Sequence, residues 1–104
     1  MEVHVIPGEA PRLAEAADLR RFSVIVAAQP EALPALAAAH GGMLDFEGSG
    51  HAWVSVEWLI AASGLADSPD WRAGFEAMKA YAEGKGWTRS DPPALRGHVI
   101  WQGA

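Results

Sequence analysis

The groups best able to move protons cluster between residues 40 and 57: His40, Asp45, Glu47, His51 and Glu57. The turn-forming string Glu47-Gly48-Ser49-Gly50 separates two short apolar runs, so a hairpin there would bring Asp45 or Glu47 beside His51. A carboxylate next to an imidazole fixes its tautomer and favours its charged form, which suits acid–base work near neutral pH. The candidate catalytic set is therefore His51 as acid or base, with Asp45 or Glu57 as its orienting carboxylate. A plainer reading of the same residues is structural. His40 ends a helical pattern, where the helix dipole favours a cationic ring, and a histidine beside a turn is commonly a surface residue. His4 and His98 sit in two similar strand strings, Val-His-Val-Ile and Gly-His-Val-Ile, and would share a face if those strands were neighbours.

Other chemistries are thinly represented. No cysteine occurs, which removes thiol catalysis, disulfide scaffolds and cysteine-based metal sites. No histidine pair has zincin spacing and no His-x-Asp/Glu triad occurs, so a metal at His40, His51 and nearby acids is the least favoured reading and none is expected. Ser49 is out of frame for a nucleophile elbow, and Gly84-Lys85-Gly86 follows a helical pattern instead of opening one, so it is a poor phosphate cradle. No cofactor is expected.

The five tryptophans are numerous for the length. Trp71 falls on a buried helical stripe, and Trp87 is expected to pack beneath the segment that follows it. Trp53, Trp58 and Trp101 lie on or beside strands and are the candidate ligand-binding residues, lining an aromatic pocket or a dimer seam.

The elements that would position these groups follow from periodicity. Residues 2–6 alternate as a strand, and 9–20 are ambiguous between helix and loop. Residues 21–28 form a strand apolar on both faces, as a central strand is. Residues 30–40 read as a helix with Pro34 in its first turn, closed by Gly41 in the left-handed cap position. Residues 43–46 and 51–54 make the hairpin. Residues 55–63 fit either a continuing strand or, as preferred here, a short helix capped by Ser55. The clearest helix is 69–84, with Ser68 as cap, Pro69 at its first position and Trp71, Phe75, Met78 and Ala82 as the apolar stripe. Residues 88–96 read as a loop and 97–101 as a closing strand.

From residue 21 the order is strand, helix, strand, strand, helix, strand. That order predicts an α+β fold of ferredoxin-like βαββαβ type. Its mainly antiparallel four-stranded sheet would carry helices on one face and an extra N-terminal strand. The 104 residues fit a single domain, 1–104. The uncovered sheet face predicts a homodimer, since twofold pairs are the commonest oligomers.

Charge sharpens the expectations about partners. The net charge is −5, and no Lys or Arg occurs from residue 22 to 71, where Glu31, Asp45, Glu47, Glu57, Asp67 and Asp70 all lie. The plainer reading is chance spacing in a base-poor chain; the sharper one is a negative side and a site that prefers a cation, a metal or a neutral ligand to an anion. Nucleic acid is not expected as a partner, nor is a membrane, because no apolar run is long enough to span one. With no leader-like pattern at residues 1–5, the expected location is the cytoplasm.

The leading expectation is a small α+β homodimer that binds a mostly apolar or aromatic small molecule. If it turns the molecule over, the reaction would be a cofactor-free isomerase or lyase step using His51. The alternative is a non-catalytic module that docks a partner protein on a tryptophan-rich sheet face.

Overall fold

The computed structural model describes residues 1–103. In chain order it contains β1 (Glu2–Val5), β2 (Arg12–Ala14), β3 (Ser23–Val26) and a 3-10 turn that leads into α1 (Leu33–His40). There follow β4 (Leu44–Glu47), β5 (His51–Ser55), α2 (Val56–Ser63), α3 (Pro69–Gly84), β6 (Thr88–Ser90) and β7 (Pro93–Trp101). All seven strands join one sheet in the order β2-β1-β3-β7-β5-β4, with β6 attached to β7.

β7 organises the sheet. Along one edge it pairs antiparallel with β5, from His51↔His98 to Ser55↔Ala94. Its other edge is shared by two strands set end to end. β6 pairs antiparallel with the first part of β7, and β3 pairs parallel with the last part, beginning at Ser23↔His98. Trp87 extends the β6 ladder by one bond, accepting at its carbonyl from the Arg96 N–H at 2.9 Å. The break between the two partner strands therefore lies opposite Arg96 and Gly97.

This arrangement corrects the ferredoxin-like expectation. The sheet has seven strands and mixes parallel with antiparallel pairs. β1 is not an appendage but lies parallel to β3, which is itself parallel to β7. The physical reason is twofold. The chain between β3 and β7 is long enough to return in either direction, so hairpin geometry does not dictate their orientation. The 88–96 segment, expected as a loop because of Pro92 and Pro93, supplies β6 and the first part of β7. Pro93 is tolerated because it is the first residue of its strand. The ambiguous 9–20 segment contributes β2 and no helix.

Residues 55–63 resolve by their cap. The Ser55 hydroxyl accepts the Trp58 N–H at 3.1 Å, so the strand stops there and α2 begins. Gly64 ends α2 in the left-handed region (φ 70°). After α1 the left-handed residue is Gly42 (φ 88°), one place beyond the expected Gly41.

Residues paired across strands share a face. One face carries Val3, Val5, Val24, Val26, Ala52, Val54, Leu95 and Val99. These form a single core with Leu36 of α1, Val56 and Leu59 of α2, and Trp71, Phe75 and Ala82 of α3. The opposite face carries Glu2, His4, Ile25, His51, Trp53, Arg96, His98 and Ile100, and none of these is buried. No helix among the described residues is long and apolar enough to cross a membrane.

Candidate functional site

The break along the edge of β7 opens into a cleft of about 680 Å³ between α3 and the sheet. Local sequence explains each of its walls. Ser68 accepts the Trp71 N–H at 3.3 Å and starts α3, whose Gly74, Ala77, Met78 and Tyr81 face the cleft. At the far end, Gly86 takes φ 79° and turns the chain back, so that the Trp87 N–H donates to the Ala82 carbonyl at 2.9 Å. Trp87 thereby sits at the rim, 39% exposed, in an edge-to-face contact with Tyr81 at 6.3 Å between centroids.

The second wall is the segment before β3, and it is pinned at several points. The Trp71 indole N–H donates to the Ala16 carbonyl at 2.8 Å, and the Met1 amino group donates to the carbonyls of Asp18 and Arg21. Two glycines receive its apolar side chains. A Cβ on Gly74 would lie 2.6 Å from Leu19 Cδ1, and one on Gly97 would lie 2.9 Å from the Phe22 ring. Glycine at these positions is what lets Leu19 and Phe22 seat closely, leaving Arg20 and Arg21 at the cleft.

At the break the cleft continues onto the open face of the sheet, where His51, Arg96 and His98 of β5 and β7 line it. His51 and His98 are cross-strand partners whose rings meet edge to face, 5.6 Å between centroids. Arg96, next along β7, binds Glu47 through Nε (3.0 Å) and Nη2 (2.6 Å). Glu47 also accepts the Trp53 indole N–H at 2.9 Å. These bonds, the one from Trp53 foremost and that from Arg96 next, hold the Glu47 carboxyl below its ordinary pKa.

The candidate catalytic residues are not assembled around His51. Asp45 lies on the same sheet face but pairs with Arg89 at 2.9 Å. Glu47 is the residue directly across from His51, and its hydrogen bonds go to Trp53 and Arg96. Glu57 is exposed in the first turn of α2, a helix that packs on the other face of the sheet. The candidate tryptophans are also dispersed. Trp53 lies on the open face under the Arg89 guanidinium, 5.0 Å from its ring centre. Trp101 stacks on Phe46 and donates to the Ser49 carbonyl, and Trp58 packs against the core from α2. Trp87, expected beneath the following segment, is instead the indole that lines the cleft. His4 shares the open face with His98, but β3 runs between them and His4 bonds to Glu2 at 3.0 Å. Among the described residues, no three His, Asp or Glu side chains converge to hold a metal.

Sequence reasoning missed the cleft's cations. Arg20, Arg21 and Arg96 lie outside the base-free interval, and the fold brings them to one cleft from segments about 75 positions apart. The adjacent pair Arg20-Arg21 just before a strand was the available signal. Three arginines and two histidines line the cleft, and no acid does; the acid-only interval 22–71 contributes only Phe22 and His51 to it. No family model, curated protein or solved structure matches this chain.

Proposed function

We propose that this chain is a cytoplasmic domain that binds a small molecule with an apolar, ring-sized body in the cleft between α3 and the sheet. The observation that carries this reading is the cavity itself. Its volume of about 680 Å³ falls within the range of small-molecule sites. Phe22, Met78, Tyr81, Trp87 and Leu95 give it an apolar and aromatic lining, with Arg20, Arg21, His51, Arg96 and His98 as polar groups. Binding without turnover is favoured over isomerase or lyase chemistry, because the carboxylates nearest to His51 along the sheet are bonded to other partners. A second copy of the chain is proposed to cover the open sheet face, where Ile25, Trp53 and Ile100 remain accessible.

The neutral dye phenylnaphthylamine, whose fluorescence rises in apolar surroundings, tests the cleft. Ala77 lines it from an exposed position on α3, and Ala73 is exposed on the same helix outside it. Ala77→Trp is expected to fill the cavity and weaken dye binding by roughly tenfold or more, about 1.4 kcal/mol. Ala73→Trp should leave it unchanged. Equal binding by both variants, or no binding by the unmodified protein, would remove the cleft as a ligand site.

A further inference from the structure

The charge around the cleft runs against that of the whole chain. The protein carries net −5, yet three of its eight Lys and Arg side chains and two of its four histidines line this one cavity, and none of its thirteen acids does. We propose that the ligand is a small organic acid. Its apolar body would lie against Phe22, Met78 and Trp87, and its anionic head would be held by Arg20 and Arg21 with help from the His51–His98 pair. The proposal rests on the reading of the cleft as a small-molecule site and adds the chemical class of the occupant.

Three features support it. First, Arg20 and Arg21 have no ion-pair partner among the described residues, whereas Arg89 and Arg96 are each matched to a carboxylate. The nearest acid along the chain, Asp18, accepts the Arg20 backbone N–H at 3.2 Å, which shapes the turn without joining the guanidinium. Second, the two arginines are held in place by the backbone they sit on. The Met1 amino group binds the Arg21 carbonyl, and Leu19 and Phe22 on either side are seated against Gly74 and Gly97. Side chains on a fixed backbone lose less freedom when they close on a ligand. Third, the guanidinium fork matches the two oxygens of a carboxylate or sulfonate, and a low-dielectric aromatic wall beside it strengthens that attraction. Lys85, whose ammonium lies 5.6 Å from the Tyr81 ring centre, adds positive potential at the rim.

The test compares two dyes that differ by one charged group: anilinonaphthalene sulfonate and its neutral parent, phenylnaphthylamine. At low ionic strength the sulfonate is expected to bind about tenfold more tightly. The preference should shrink as salt is added, because the arginines are exposed. In the double variant Arg20→Ala, Arg21→Ala the preference should disappear while affinity for the neutral dye is retained. Both positions are exposed, so folding is expected to survive and is checked by circular dichroism. Equal binding of both dyes by the unmodified protein, or a sulfonate preference that persists in the double variant, overturns the proposal. Either result leaves the cleft standing as a site for neutral ligands. Failure of both dyes to bind overturns the cleft reading as well.

Discussion

Glu47 shows how one exposed side chain can order its surroundings. Its carboxylate takes a hydrogen bond from the Trp53 indole and two from the Arg96 guanidinium, which fixes Arg96 where the cleft meets the open face. Because these bonds favour the ionised form, the folded-state pKa is depressed, and below about pH 4.5 the unfolded chain binds the proton more readily. The stabilisation is thus present above that pH and is lost as pH falls through the lower folded-state value. Glu47→Gln should lower the thermal midpoint near neutral pH, and its gap from the unmodified protein should narrow below about pH 4.5. A gap that stays constant with pH would show that these bonds do not favour the ionised form. The partnership was only half legible in the sequence. The turn at Gly48–Gly50 announces that Glu47 and His51 face each other, but the Arg96 side chain that claims Glu47 arrives from a strand 49 positions away.

At the scale of the elements, local signals were strongest where a cap and a stripe agreed. α3 begins at Pro69 after Ser68 and buries Trp71, Phe75 and Ala82, as its periodicity indicates. Trp71 and Phe75 stack at 4.9 Å between centroids, so the first turn of α3 also anchors the segment bearing Arg20 and Arg21 through the Trp71–Ala16 bond. Ser68→Ala is accordingly expected to cost about 1 kcal/mol, measurable by urea denaturation. It should also weaken binding of anilinonaphthalene sulfonate if the start of α3 holds that wall. An unchanged unfolding midpoint would mean that the Ser68 cap contributes nothing. Short strands gave weaker signals. β2 and β6 have three residues each, too few for alternation to stand out, and both are recognised only by the partner they lie against. Pro92 and Pro93 look like loop, so periodicity alone marks β7 only from Gly97. In the fold the strand starts at Pro93 and runs for nine residues.

For the whole molecule, the helices contribute their buried side chains to one face of the sheet, and the other face keeps a row of half-exposed groups from Glu2 to Ile100. On this face the Glu2–His4 and Glu47–Arg96 pairs lie on the two sides of Ile25 and Ile100. A twofold pair centred on Ile25 and Ile100 would bury the part of this face on β1 and β3 and leave the helical side outward. Light scattering is expected to give the mass of two chains, and Ile100→Asp, at a position already 38% exposed, should shift the protein to one. A single-chain mass at all concentrations would remove the second copy from the proposal.

By itself the sequence determined the α+β class, the long capped helix α3 and the hairpin at Gly48–Gly50, and it narrowed residues 55–63 to a strand or a helix capped by Ser55. Each depends on contacts among near neighbours along the chain: caps, turns and apolar spacing. Only the tertiary structure decided the parallel placement of β3 beside β7, the sharing of one β7 edge by β6 and β3, and the basic cleft that opens where those two strands meet. These depend on pairings between distant segments. A strand's own residues specify which face it buries but not which neighbour it takes or in which direction, and Arg20, Arg21 and Arg96 become one site only after that choice is made.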